Sequence, residues 1–374
     1  MATTSAAKTA LTNVRVFDGR ELSAPCTVVI DGGVIGTDAR GAQELDADGA
    51  VVLPGLIDSH VHLHDSRALE QLASYGVTTG LDMGAGPAEL VATLRKVTGY
   101  ADFRTAGLPA IGPDGAHSRF PGMPPEAIIR TPQDARNHVA ARVAEGVDYI
   151  KGIAEAPGDG GPSGESLRAL VTAARAHGMK TVIHAASVGA FTIAVDSGAD
   201  FITHVPNDGV IAETDVAKMA AAGQIAIPTI TMMEGVLAGK APTTHLFKSV
   251  ANLHHAHVNV LAGTDANTLP GIPFAVQHGE SLHHELERLV QTGLSPAEAL
   301  RAATILPARA FGLTDRGAVE PGLRADLLLI DGDPLADITA TRKIRNIWCG
   351  GHSIAPARHP NRCDGFGADG VHCR

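Results

Sequence analysis

Short apolar runs recur through the middle of the chain, and the stretches between them carry apolar residues at helical spacing. Eight runs between residues 55 and 312 read as strands: GLIDSHVHL, VTTGLDMG, DFRTAGLPAI, VDYIKGI, KTVIHAA, DFITHV, QIAIPTI and VNVLAGTD. Helical segments such as PQDARNHVAARVAEG, GESLRALVTAARAHG and ETDVAKMAAAG lie between most of them. Each of these closes on a glycine, a common helix stop. Eight strands alternating with helices over about 250 residues predict an α/β fold, a (β/α)8 TIM barrel spanning 55–312. The two ends have a different texture. VRVFDG, CTVVIDGG and AVVLPG precede the barrel, ADLLLIDGDP and IRNIWCGG follow it, and turn residues punctuate all five. This pattern predicts a small β-sandwich domain built from both termini, residues 1–54 and 313–354. Residues 355–374 are rich in Gly, Pro and Ala and read as a loosely ordered tail. Its His359, Cys363, His372 and Cys373 match no zinc module by spacing.

Composition narrows the function classes. With 44% hydrophobic and 19% charged residues the chain has the balance of a soluble globular protein. A net charge of -10 disfavours phosphate backbones and anionic lipid. The first residues hold no signal-peptide core, and no run of about 18 apolar residues appears. The four cysteines form no C-x-x-C pair and suggest no disulfide framework. The expectation is a cytoplasmic enzyme with a small-molecule substrate and neither nucleic acid nor membrane as partner. Assembly into a homo-oligomer is left open.

Chemistry concentrates at the predicted strand ends. Side chains at i and i+2 share a strand face, so His60 and His62 project together at the end of the first barrel strand, the rim where barrel active sites lie. His64 continues the row into the loop. A lone His-x-His is weak evidence. Four further strands, however, deliver one metal-compatible or chargeable group each to the same rim: Lys151, His184, His204 and Asp265. Lys151 stands out because burying an ammonium is costly. It either pairs with Asp265, reaches solvent, or reacts with CO2 to give a carbamate, an anion able to bridge two cations.

These residues resemble the amidohydrolase superfamily, in particular its imidazolonepropionase-like metal-dependent hydrolases. VVLPGLIDSHVHLH is similar to the family's first-strand signature. GTDAN with HGESLHHELERLVQTGLSPAEALRAATILPARAFGL resembles its eighth-strand and final-helix region, and GAVEPGLRADLLLIDGDP resembles its C-terminal sandwich strands. The similarity runs to about residue 352. The segment GTDARGAQELDADG is short for the family's first sandwich region, and the tail after Ile354 matches nothing in it.

The resemblance implies a binuclear site. His60, His62 and Asp265 would hold one metal, His184 and His204 the other, with carbamylated Lys151 and a hydroxide bridging them. Zn2+ suits this imidazole-rich set best, and Mn2+, Co2+ or Fe2+ fit the same ligands. A shared water would be acidified from 15.7 to roughly 7 and attack an amide or related C–N bond, with Asp265 as the catalytic proton shuttle. Ester or lactone cleavage would use the same machinery. His117 and Arg119 in the loop after the third strand, and His278 after the eighth, are the candidate substrate-binding residues. They favour a carboxylate-bearing substrate such as an N-acyl amino acid or dipeptide-like amide. His254, His255 and His257 read as surface residues of the outer ring. Two other readings are a mononuclear deaminase-like or cyclic-amide/lactone hydrolase, for which Lys151 has no use, and a non-catalytic metal-binding scaffold.

Overall fold

The computed structural model describes residues 8–84, 86–120, 123–269, 272 and 274–357. The expected loose tail, 355–374, falls outside them from residue 358 onward, with His359, Cys363, His372 and Cys373. The opening segment supplies five strands: β1 (Thr9–Val16), β2 (Cys26–Asp31), β3 (Val34–Gly36), β4 (Gln43–Asp46) and β5 (Val51–Pro54).

The middle supplies seven more: β6 (Leu56–Val61), β7 (Val77–Asp82), β8 (Asp102–Thr105), β9 (Ile150–Ile153), β10 (Thr181–His184), β11 (Phe201–Thr203) and β12 (Ile225–Ile227). All pairings among them are parallel, in one sheet β6-β7-β8 and another β12-β11-β10-β9. Every residue of β6, β7 and β9 is buried, as expected of parallel strands covered on both faces. Bridges between Ala110 and Gly152, Ala226 and Val260, and Val61 and Ala266 join the two sheets to each other and to the segment 258–266. Residues 258–265 are the expected eighth strand, and that stretch makes isolated bridges only, at Val260 and just beyond it at Ala266. Its backbone still bonds on both sides, Leu261 N to Ala226 O at 2.9 Å and Ser59 N to Ala262 O at 2.9 Å. Asp265 at φ 57 turns it out of extended geometry.

One hydrophobic cluster draws on all eight segments: Ile57, Leu81, Ala106, Tyr149, Val182, Phe201, Ile227 and Leu261. Phe311 stacks on Phe201 with ring centroids 4.2 Å apart. The helices between strands start and stop where the sequence says. In Pro132–Glu145, Thr131 and Asp134 form a reciprocal capping box and Gly146 ends the helix at φ 74.

The last strands, β13 (Leu327–Ile330), β14 (Ile344–Cys349) and β15 (His352–Ile354), join the first. The order is β15-β14-β13-β5-β1-β2-β3, with β4 on β1. Leu328 pairs with Leu53 and Leu329 with Val52, so both ends of the chain share one sheet path. A separate apolar cluster including Leu11, Val28, Ile30, Leu327 and Trp348 packs there.

Arg316 ties the final helical region to the strands. It is 5% exposed, and its guanidinium bonds Thr79 Oγ1 at 2.9 Å, Asp315 at 2.8 Å and Asp102 at 2.8 Å. Burial alone would push Asp102 up, but Arg316 and then Arg104 outweigh it and hold the carboxyl below its usual value. Removing one partner of a buried pair leaves an uncompensated charge and costs about 3–5 kcal/mol. Because Asp102 and Asp315 keep some solvent, Arg316→Met is expected to lose about 3 kcal/mol, read as a lower urea midpoint with metal content unchanged. A midpoint equal to wild type would remove Arg316 from this role.

Candidate functional site

The register of β6 against β7 slips between Asp58 and Val61, so the strand bulges where it carries His60. Bulges re-aim side chains. Asp58, fully buried, fixes the bulge to the segment after it. Its Oδ1 accepts from His60 N at 3.1 Å and Thr264 N at 3.0 Å, and its Oδ2 accepts from the Thr264 hydroxyl at 2.7 Å. Burial pushes this carboxyl up to about 7 against those donors. Asp265 N donates to His60 O at 2.8 Å, and His62 N to Ala266 O at 2.8 Å. The predicted first and eighth strand ends are thereby locked together.

Asp265 Oδ1 then lies 3.3 Å from His60 Nε2 and 3.1 Å from His62 Nε2. One ligand-capable atom from each of the three falls within 4.8 Å of the others. Among the described residues it is the one such group of three. A second pair adjoins it. His204 Nε2 lies 2.9 Å from His184 Nδ1, and the His60 and His204 rings are 4.8 Å apart. His204 Nδ1 is also 4.0 Å from Asp265 Oδ2.

Hydroxyls orient the rings from behind. Thr203 Oγ1 is 2.8 Å from His60 Nδ1, and Thr229 Oγ1 is 2.5 Å from His204 Nδ1. Each contact engages Nδ1 and leaves Nε2 toward the cluster, the arrangement that fixes the tautomer of metal-binding histidines. Thr229 holds a left-handed backbone, φ 48, unusual for a β-branched residue. Sites often store strain of this kind. The following helix turn is pinned by Glu285, which accepts from Ile230 N at 3.0 Å and Thr231 N at 2.8 Å. No sequence signal marked Thr203, Thr229 or Glu285. Asp58 was detectable as a lone charge inside an apolar run.

Lys151 lies within β9, not at its end, because the strand runs on through Gly152 and Ile153. It is 2% exposed and its Nζ has no hydrogen-bond partner. Burial lowers its pKa to about 7, with Asp265 and Asp82 opposing the shift. The histidines respond to the same enclosure. Burial first, then Lys151 and neighbouring rings, take His60 well below its ordinary value. Burial lowers His204 to about 3. For His62 burial is outweighed by the Asp265 carboxylate, which raises it. His60 and His204, neutral beside an ionised Asp265, are in the protonation states a cation needs, and His62 would have to give up the proton that Asp265 favours.

The loop candidates separate. His117 is at the site, its ring 4.7 Å from that of His184 and edge-on to it. Arg119 is exposed, and its Nη2 donates to Asp114 O at 3.3 Å. His278 is enclosed at 1% exposure, and its Nε2 lies 2.9 Å from the His62 carbonyl. His64 Nε2 meets Asn267 Oδ1 at 3.2 Å. His255 and His257 are exposed and His254 is partly so. Among the described residues no helix is long and apolar enough to cross a membrane.

Known proteins carry the same frame. The family model of the amidohydrolase family matches residues 51–354. An imidazolonepropionase of Deinococcus radiodurans is 29% identical over 357 residues, 83% of this chain and 83% of the relative. An adenine deaminase of Methanoregula boonei is 28% identical over 97% of this chain, which spans 65% of that longer protein. A solved Xaa-Pro dipeptidase with bound methionine superimposes with a TM-score of 0.80 over 93% of this chain and 100% of its own, at 21% identity. With the family match spanning most of its length and the imidazolonepropionase likeness covering the same region, the chain belongs to the amidohydrolase family and is a hydrolase acting on carbon–nitrogen bonds.

Proposed function

We propose that the chain is a binuclear metal-dependent amidohydrolase built on a closed (β/α)8 barrel, with a β-sandwich formed by its two ends. The observation that carries this reading is Lys151, a buried amine with no hydrogen-bond partner, close enough to four histidines and an aspartate to act on each electrostatically. An ammonium left there would be costly. A carbamate formed with CO2 supplies an anion at that point, and the donor set becomes two imidazoles, a carboxylate and the carbamate on one side, and two imidazoles and the carbamate on the other. His60, His62 and Asp265 would hold one divalent cation and His184 and His204 a second, with Zn2+ the best match to this chemistry. Bound there, such a pair supplies an acidified water and polarises the scissile carbonyl.

The chain's own residues do the remainder. Asp265 takes a proton from the attacking water and returns it to the leaving nitrogen. Thr203 and Thr229 keep the His60 and His204 rings in register, Asp58 holds the bulge, and His278 fastens the His62 carbonyl. A mononuclear, deaminase-like enzyme is the second reading. It is favoured by the compactness of the His60–His62–Asp265 group, and it leaves Lys151 unexplained.

The substrate class in this proposal is a small carboxylate-bearing amide, an N-acyl amino acid or dipeptide-like molecule, with Arg119 as the carboxylate anchor. Arg binds carboxylate through two parallel hydrogen bonds. Losing one charge-assisted contact costs roughly 1.5–3 kcal/mol, about ten- to a hundredfold in kcat/KM. The test is a panel of N-acetyl amino acids and dipeptides, each against its methyl ester or amide, with wild type and Arg119→Ala. The expected result is metal-dependent turnover, with a preference for the free carboxylate that Arg119→Ala erases. Failure to discriminate would return Arg119 to solvent, and absence of any turnover would count against this substrate class.

A further inference from the structure

The loop after β8 and the loop after β9 are clasped to each other more tightly than either needs for connection. Asp114 N donates to Gly160 O at 3.2 Å. A Cβ on Gly112 would lie 2.2 Å from Gly160 O, and one on Gly161 would lie 2.7 Å from Glu155 Cβ. Only glycine allows that approach. Glu155 sits inside the clasp, its side chain 15% exposed. Its Oε1 accepts from Ala116 N at 3.1 Å and lies 3.2 Å from His117 Nδ1. One residue earlier, Ala154 N donates to the His184 carbonyl at 2.9 Å. Glu155 is therefore tethered to the strand end that carries His184, and it holds the residue whose ring stands edge-on to His184 at 4.7 Å. Phe120 also meets the His117 ring edge-on, centroids 5.6 Å apart.

We propose that Glu155 is a positioning residue. It fixes the tautomer and orientation of His117, so that His117 Nε2 is the ring atom offered to substrate at the His184 side of the site. A carboxylate only accepts, so the contact puts the His117 proton on Nδ1. Nε2 then has a free lone pair and no hydrogen-bond partner among the described residues, and the ring is 25% exposed. Without Glu155 the ring is free to rotate and to carry its proton on either nitrogen. The proposal deepens the reading of the site given above and rests on it.

Two readouts separate the failure of each. The first needs no substrate: ring nitrogen and proton shifts of 15N-histidine-labelled protein, with His117 assigned by its loss in His117→Gln. Wild type is expected to show Nδ1–H at His117, and Glu155→Ala a mixture or Nε2–H. Glu155→Gln, which keeps an acceptor oxygen, should stay close to wild type. The second is a double-mutant cycle on the best-turned-over member of the N-acetyl amino acid and dipeptide panel. Glu155→Ala should lower kcat/KM by about 10–100-fold, the scale of loss when the partner orienting a metal-bound imidazole is removed. In a His117→Ala background it should add nothing, because the two act through one ring. Metal content should stay at the wild-type value in all variants. Additive losses, or an unchanged Nδ1–H tautomer in Glu155→Ala, would overturn the proposal. If nothing in the panel is turned over, the proposed substrate class fails while the tautomer measurement still decides the role of Glu155.

Discussion

Lys151→Ala is expected to lower kcat by about 10³-fold, the scale of losing an electrostatic contribution of several kcal/mol, while the metal-free fold holds or gains stability. The two effects have one cause. Nζ is enclosed with no hydrogen-bond partner, so in metal-free protein lacking the carbamate the ammonium form is a burden on the folded state that alanine removes. What alanine cannot replace is the anion that the carbamate would provide between the two halves of the site. Added acetate or propionate should restore part of the rate, since a small carboxylate can occupy the vacated space. Full activity in the variant would falsify the bridging role. Loss of activity accompanied by unfolding would instead make Lys151 a structural residue.

Asp265→Asn is the second large effect. The carboxylate is within 3.3 Å of both His60 and His62 Nε2, and burial, which would raise it, is outweighed by the His62 hydrogen bond and then by the neighbouring His204, His62 and Lys151. It stays ionised and able to accept a proton. Asparagine keeps the volume and an oxygen, and it tolerates the left-handed backbone at φ 57 better than most residues. The fold should therefore survive. General acid–base assistance is worth about 10²–10⁴-fold, and kcat should fall by at least the lower figure. A variant that keeps near-normal kcat would move the proton role to His117.

Much of this site could be read from the sequence because strand period and helix caps are local. His60, His62, His184 and His204 follow apolar runs that could only be buried strands, and glycines mark the ends of the intervening helices. Both termini showed the same β texture, and β5 does pair with β13. What could not be read depends on non-local contacts or on unusual backbone. The segment 258–266 carries a strand's composition but is bent by Asp265. The left-handed Thr229 reaches His204, and Glu285, far along the chain, holds the turn that follows it. His278 has the look of a loop residue and is enclosed by the β6 strand end. Glu155 sits in a Gly- and Pro-rich loop whose composition says only that it turns. Its meaning appears when a second glycine-bearing loop folds onto it.

Metal content is the most direct test of the central claim. Protein prepared without chelator, then supplied with Zn2+ and bicarbonate and freed of excess by gel filtration, should carry two divalent ions per chain by elemental analysis. Lys151→Ala should carry fewer. A consistent single ion in wild type, unchanged in Lys151→Ala, would contradict the binuclear account and leave His60, His62 and Asp265 as the whole of the metal site.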